Sequence, residues 1–391
     1  MHKKSLYRFA FLALTLTLVS CGPTSNVSQS KNDAVATHAT APQPNAVGVS
    51  SGKPVPPLKI AVPESPPTAL GLYQFKKMDA DELLTLANKA ASQKVYMVAA
   101  ASQYWYVETT KNGQYNLACY LARQNQIDAA LYWLQLAAID EGVDVEMAQS
   151  DEDLGALRKD PRWGQVLQYI QACNKHFETA QLSRTILILP ENYQKPTPLV
   201  AVVWLHGYGS RPEDFVNDGI QEYVNELNIA LIGVSGTRAT GPRSFVWAED
   251  VEKDALRIRG AIKEVSDRVT IEPGRVITLG FSQGAQVGLE VAVRYPEEFA
   301  GSVVLSPGAE PQLNSLKPSP LLASRGYVLS CGGQERPGNV LLTASDADWL
   351  RRAEAKIIHE PYPGVSAHAL PQDFYERFPE WLTFILKAEK E

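Results

Sequence analysis

The stretch Val276-Ile-Thr-Leu-Gly280-Phe-Ser282-Gln-Gly284-Ala285 joins an apolar, strand-like run to Gly-x-Ser-x-Gly, and a helical run rich in Ala, Val and Gly follows it. A sharp turn between a strand and a helix holds its central serine in a strained conformation, so the flanking positions must be small. Gly280 and Gly284 meet this requirement because they lack a Cβ atom. We therefore predict that Ser282 is a nucleophile exposed at a strand-to-helix turn.

An earlier apolar run, 202–205, leads into a second glycine-rich turn, His206-Gly-Tyr208-Gly-Ser210. Such a loop can turn its amides towards a developing oxyanion without interference from side chains. We predict that the backbone N–H groups of Tyr208 and Gln283 form an oxyanion hole. His206 stands at a strand end well before the nucleophile, and we interpret it as a structural residue that shapes the loop.

The general base is expected after the nucleophile in chain order, on a loop beyond the last strand. Residues 362–371, Tyr-Pro-Gly-Val-Ser-Ala-His-Ala-Leu-Pro, place His368 in such a loop before the final helical run. His359 is the rival, but it falls inside the predicted strand 356–362. We predict that His368 is the base.

The acid that orients the base is expected after the strand 327–331, where Gly-Gly-Gln leads to Glu335. Asp346 and Asp348 are the alternatives. Both are predicted in the first turn of the next helix, where a carboxylate is also an ordinary capping residue. A glutamate can serve because the role requires only a carboxylate on the far imidazole nitrogen. We assign the acid to Glu335.

Strand-like and helical runs alternate from about residue 177 to 386, which predicts an α/β fold with a mostly parallel sheet covered by helices on both faces. The predicted strands are 184–189, 199–205, 229–234, 276–279, 302–305, 327–331 and 356–362. The main predicted helices are 252–266, 283–295, 345–355 and 373–387.

The His-Gly-Tyr-Gly turn at 206, Gly-Pro-Arg-Ser-Phe-Val-Trp at 241–247, Gly-Phe-Ser-Gln-Gly-Ala at 280 and Tyr-Pro-Gly…His at 362–368 together resemble the phospholipase/carboxylesterase and predicted-esterase branch of the α/β-hydrolase superfamily. The resemblance covers 184–386. It implies a Ser-His-acid triad that hydrolyses short acyl esters or thioesters without a cofactor. The family more often has an aspartate where this chain has Gly-Gln-Glu335. Trp247 either lines the acyl pocket or packs in the core.

A different, purely helical pattern occupies about 78–172. The hairpin-like stretch 115–138 resembles a tetratricopeptide unit, and 151–163 resembles the segment that often follows such units. Repeat arrays usually need about three units to be stable. The helical part is therefore either stabilised by packing against the neighbouring domain or includes a degenerate repeat at 80–110. Its role is either binding a protein partner or packing.

The first residues carry Lys3, Lys4 and Arg8 before an apolar run, 9–19, that is too short for a permanent membrane span. The run ends in Leu-Val-Ser-Cys21, which resembles the lipobox of bacterial lipoproteins. This implies lipidation of Cys21 and a lipid-anchored protein of the bacterial cell envelope. Gly22 is not Asp, which by the same resemblance favours the outer membrane over the inner membrane.

Residues 22–67 are rich in Ser, Thr, Ala, Pro and Asn without apolar periodicity, which predicts a disordered tether. The chain of 391 residues is therefore divided into a signal peptide at 1–20, the tether at 21–72, a helical domain at 73–175 and a catalytic domain at 176–391. An exported chain can form disulfides. Only Cys173 and Cys331 are candidates for a pair, because Cys119 is expected in a helical core.

The formal net charge of −6 gives no electrostatic footprint for nucleic acid. No His/Cys cluster has metal-ligand spacing and no phosphate loop is present, so neither a metal nor a cofactor is expected. The leading hypothesis is a serine hydrolase that cleaves a carboxylic ester, or a thioester, through an acyl-enzyme. The alternative is a catalytically silent hydrolase fold that acts as a protein-binding scaffold through its helical part.

Overall fold

The computed structural model describes residues 56–63, 66–67, 74–217, 219–248, 250–308, 313–366 and 368–388. The predicted signal peptide, Cys21 and most of the predicted tether lie outside the described residues. None of the helices that are described is both long and apolar enough to cross a bilayer.

Helices alone make up the chain between residues 80 and 179, apart from short 3₁₀ turns. Successive helices of the first four pack as antiparallel neighbours, and the sequence-predicted hairpin forms the third and fourth of them. Alanines and leucines on facing sides allow the close approach and form one core with Tyr115 and Tyr120. The helices are α1 (Ala80–Ser92), α2 (Tyr96–Thr110), α3 (Gln114–Arg123), α4 (Ile127–Asp140), α5 (Val145–Ser150) and α6 (Trp163–Thr179). We call Ala80–Thr179 the helical segment. Its relation to tetratricopeptide repeats stays a prediction.

Seven strands form one sheet in the order β1-β3-β2-β6-β7-β8-β9. Only β1 runs antiparallel to its neighbour, and every other pairing is parallel. A separate antiparallel hairpin, β4–β5, was not predicted from the sequence. The strands are β1 (Thr185–Ile188), β2 (Pro198–Leu205), β3 (Ile229–Val234), β4 (Arg238–Gly241), β5 (Ser244–Val246), β6 (Thr270–Phe281), β7 (Phe299–Leu305), β8 (Gly326–Ser330) and β9 (Lys356–His359).

Helices cover both faces of the sheet, which confirms the predicted α/β class. They are α7 (Ile220–Leu227), α8 (Val251–Glu264), α9 (Gln283–Arg294), α10 (Pro337–Arg352) and α11 (Phe374–Ala388). Strand β2 shows why both faces must be covered. Val202 and Trp204 enter the core under α7 and α11, whereas Val203 and Leu205 enter the core under α8, α9 and α10. Each buried Val or Leu stabilises the fold by about 1.5–3 kcal/mol.

Helix α10 begins eight residues earlier than the predicted start at 345. Pro337 stands at its first turn, where the fixed φ of proline suits a helix and the missing N–H costs nothing. This proline was the overlooked signal. Cys173 and Cys331 do not form a disulfide with each other. Cys173 lies on α6 and Cys331 follows β8, so the pairing considered from the sequence is absent.

The parallel strands all end at the same edge of the sheet. The segments that leave β2, β6, β7 and β8 therefore meet there, which is where open α/β sheets usually bind their ligands. Five of the predicted site residues lie in or next to these segments or in the one after β9, namely Tyr208, Ser282, Gln283, Glu335 and His368, whereas Trp247 follows the β4–β5 hairpin.

Candidate active site

Ser282 occupies the turn between β6 and α9 with φ 56° and ψ −124°. A serine rarely adopts a positive φ, and the surrounding structure must hold it there. Its N–H donates to the carbonyl of Leu305 at 3.0 Å, and its own carbonyl accepts from the N–H of Gly308 at 3.2 Å. The turn thus presents the hydroxyl at the carboxyl edge of the sheet.

The glycines that flank Ser282 are required by close backbone contacts. A Cβ atom at Gly280 would lie 2.3 Å from the carbonyl oxygen of Gly284, and one at Gly284 would lie 2.3 Å from that of Leu205. Both distances are far below van der Waals contact. Any larger residue at either position would force β2, β6 and α9 apart.

His368 connects Ser282 to Glu335. Its Nε2 atom lies 2.9 Å from Ser282 Oγ, and its Nδ1 atom is hydrogen-bonded to Glu335 Oε1. The carboxylate accepts a hydrogen bond from Nδ1–H, which leaves the Nε2 lone pair directed at the serine hydroxyl. Three side chains from three separate loops therefore form one continuous hydrogen-bonded chain.

Glu335 is buried, with 4 % of its surface exposed, and it has three further donors. Asn339 Nδ2 donates to Oε1 at 2.6 Å, while Ser306 Oγ and the N–H of Gly332 donate to Oε2 at 2.9 and 3.2 Å. Burial alone would raise the pKa of Glu335, but the bonds from His368, Asn339 and Ser306 outweigh it and lower the pKa. The carboxylate is therefore charged at neutral pH. Sequence reasoning missed Ser306 and Asn339.

The two predicted oxyanion donors lie beside Ser282. Gln283 follows the serine directly and begins α9. Tyr208 lies in the loop after β2, and a Cβ atom at the preceding Gly207 would lie 3.3 Å from Ser282 Cβ. The glycine-rich loop therefore passes directly against Ser282, and its role as an oxyanion loop stays a prediction.

His206 has both of its ring nitrogens engaged inside the fold. Nδ1 bonds the carbonyl of Gly207 at 2.6 Å, and Nε2 accepts from the N–H of Gly236 at 2.9 Å. Burial lowers the pKa of His206 to about 4, so the ring is neutral. These contacts support the structural interpretation.

Trp247 is buried, with 2 % exposure, and its indole N–H donates to the carbonyl of His206 at 2.9 Å. Its backbone N–H donates to Gln283 Oε1 at 3.1 Å. Trp247 thus ties the loop after β2 to the start of α9. The packing alternative accounts for these contacts, and a place in an acyl pocket stays a prediction.

Asp346 and Asp348 do not lie in the first turn of a helix, contrary to the expectation from the sequence. Both lie in the second half of α10, because Pro337 starts that helix earlier. Asp346 is buried against Gln286 and Glu290 of α9, and Asp348 forms an exposed ion pair with Arg351 at 2.6 Å.

Asp346 also predicts a pH dependence of stability. Burial, with the nearby Glu290 charge, raises its pKa from 3.8 to about 8. Between those two values the folded chain keeps a proton that the unfolded chain has lost, so stability falls as pH rises through this window. Asp346→Asn cannot lose that proton. We expect its urea-unfolding free energy to decline less than that of wild type between pH 5 and 9, whereas Asp348→Asn should follow wild type. Parallel wild-type and Asp346→Asn curves would contradict this assignment.

Comparison with known proteins places these residues in context. Residues 202–389 match the model of the alpha/beta hydrolase family. NocK of Nocardia uniformis subsp. tsuyamanensis, provisionally described as an esterase, is 26 % identical over 145 residues. That match covers 35 % of this chain and 40 % of NocK, so the chain spans well under half the length of this relative.

Two crystal structures from Bacillus cereus are also similar. An uncharacterised protein of strain ATCC 10987 has a TM-score of 0.42 and 17 % identity, over 79 % of this chain and all of its own. A carboxylesterase has a TM-score of 0.42 and 16 % identity, over 54 % of this chain and 99 % of its own.

Proposed function

Because residues 202–389 match the alpha/beta hydrolase family and the chain has that family's fold, we propose that this protein is a serine hydrolase that cleaves a carboxylic ester or thioester. The observation that carries the proposal is the chain of hydrogen bonds from Ser282 through His368 to the charged Glu335, with Ser282 at a strained turn. The alternative function, a catalytically silent scaffold, would not require Ser282 to keep its strained backbone conformation.

The proposed reaction has two acyl-transfer steps. His368 Nε2 accepts the hydroxyl proton of Ser282 as Oγ attacks the carbonyl carbon, and the oxyanion is bound by the N–H groups of Tyr208 and Gln283. The same proton passes from Nε2 to the leaving alcohol or thiol as its bond to the acyl carbon breaks. A water molecule then attacks the acyl carbon while His368 Nε2 accepts its proton. The bond between the acyl carbon and Oγ breaks, Ser282 regains a proton from Nε2, and the carboxylic acid is released. Glu335 keeps its charge throughout and stabilises the imidazolium.

A fluorophosphonate probe tests this function without knowledge of the substrate, because it reacts only with an activated serine. We expect the detergent-solubilised full chain to be labelled at Ser282, located by mass spectrometry. Ser266→Ala is the matched control, since Ser266 is exposed at the opposite edge of the sheet. An unlabelled wild-type protein of native fold would support the scaffold alternative.

We further propose that the enzyme is anchored in the bacterial cell envelope by lipid on Cys21, with the outer membrane favoured. Cys21→Ser should lose incorporation of a fatty-acid analogue and leave the membrane fraction. Gly22→Asp is the companion variant, expected to stay lipidated but to be retained in the inner membrane. Unchanged labelling of Cys21→Ser would end the lipoprotein proposal.

A further inference from the structure

The β4–β5 hairpin and the residue that follows it contact the glycine-rich loop at 206–210 at two points. Ser210 and Phe245 form an antiparallel bridge, in which the N–H of Phe245 donates to the carbonyl of Ser210 at 3.0 Å. Trp247, just after β5, donates to the carbonyl of His206. The hairpin therefore holds this loop at both of its ends.

The other side of the hairpin packs on the helical segment. Asn174 Nδ2 of α6 donates to the carbonyls of Val143 at 2.7 Å and Thr240 at 3.1 Å. A Cβ atom at Gly142 would lie 2.5 Å from Gly241 Cα, so the two backbones touch. Phe245 is fully buried in the core of the helices. The hairpin therefore packs in the core of the helical segment and also contacts the loop at 206–210.

Asp144 is the residue through which the helical segment forms an ion pair with the hairpin. It is buried, with 2 % exposure, and caps α5 by accepting from the N–H groups of Glu146 and Met147 at 2.9 and 3.2 Å through Oδ1. Its other oxygen, Oδ2, accepts from Arg238 Nη2 of β4 at 3.1 Å. Asp144 thus has one carboxylate oxygen for its own helix and one for the hairpin.

The loop that the hairpin contacts contains Tyr208. Burial and the nearby Asp144 carboxylate hold the pKa of the Tyr208 hydroxyl well above its ordinary value. Tyr208 stands between Gly207 and Gly209, the latter with φ 68°. A loop with glycines on both sides has little conformational preference of its own, so the hairpin contacts at its two ends restrict where the intervening amide points.

We propose that the helical segment completes the catalytic site, with Asp144 as a positioning residue that anchors, through Arg238, the hairpin behind the loop at Tyr208. This inference rests on the proposed function, since the group it positions is the Tyr208 N–H that binds the oxyanion. The helical segment lies outside residues 202–389, so the family match assigns it no role. The hydrolase part alone would have the triad but a less ordered oxyanion hole.

Asp144→Asn and Arg238→Met test the anchor in the full chain. Asparagine keeps the cap of α5 but loses the charge that pairs with Arg238, and methionine keeps an unbranched side chain but loses the guanidinium. Displacing one oxyanion donor acts on the transition state, so we expect kcat to fall about 10–100-fold for Asp144→Asn and about 3–30-fold for Arg238→Met. KM should stay within about threefold. The double variant should be no slower than Asp144→Asn, because both changes break one contact.

Rates are measured on an ester turned over by wild type and normalised to active sites titrated with fluorophosphonate. Asp79→Asn is the matched control, an exposed aspartate that caps α1 by the same kind of bond, and it should retain wild-type kcat. If Asp144→Asn fails to fold, Arg238→Met alone decides.

The anchor would be overturned by wild-type kcat in Arg238→Met, by losses confined to KM or to thermal stability, or by additive losses in the double variant. Failure of the proposed function has a different signature. Wild type would then neither react with the probe nor turn over any ester, and the anchor would fall with it.

Discussion

Ser282→Ala should lower kcat for ester hydrolysis by a factor of about 10³ or more while leaving the fold intact. The change removes the atom that attacks the carbonyl, and no other hydroxyl lies at this turn. The alanine methyl group fits the same space, so its thermal unfolding should match that of wild type. The measurement is steady-state turnover on a panel of esters and thioesters of increasing chain length.

His368→Ala is the companion variant and should lose a similar factor, since the serine then lacks the base that accepts its proton. The losses should not multiply in the double variant, because nucleophile and base act as a unit. Either single variant with more than a tenth of wild-type kcat would remove that residue from its proposed role. The Ser266→Ala control should keep full activity.

Glu335→Gln should lower kcat by about 10²–10⁴ with KM nearly unchanged. The amide is close in size to the carboxylate but carries no charge to stabilise the imidazolium of His368. The neutral amide would also face the hydrogen-bond donors of Ser306, Gly332 and Asn339, which are arranged to bind an anion. Glu335→Asp keeps the charge on a shorter side chain and should lose less activity than Glu335→Gln.

Asp346→Asn and Asp348→Asn are the matched controls for this prediction. Asp346 faces Gln286 and Glu290, and Asp348 pairs with exposed Arg351, so neither change should alter kcat by more than about twofold. The reverse ranking, with either aspartate variant inactive and Glu335→Gln active, would reassign the acid. Ser282 and His368 would keep their roles.

Local pattern was sufficient to predict the fold class and the strand-to-helix turn at Ser282. The alternation of apolar runs that predicted the sheet reflects the burial of each strand on both faces, a requirement that acts residue by residue. The turn at Ser282 was recognisable because a Cβ atom at Gly280 or Gly284 would lie 2.3 Å from a backbone carbonyl oxygen, which excludes larger side chains at both positions. Because these two positions flank Ser282 in the chain, they form a motif that can be recognised in the sequence.

The contacts between residues that are distant in the chain were decided only by the tertiary structure. His368 lies 86 residues from Ser282 and 33 from Glu335, and chain order could rank candidates for the base and the acid but not bring them into contact. Ser306 and Asn339 left no motif, because any donor of suitable reach can stabilise a buried carboxylate. The contact of Asp144 with Arg238 likewise depends on how the helical segment packs against β4–β5, and the energy of that packing is spread over many side chains.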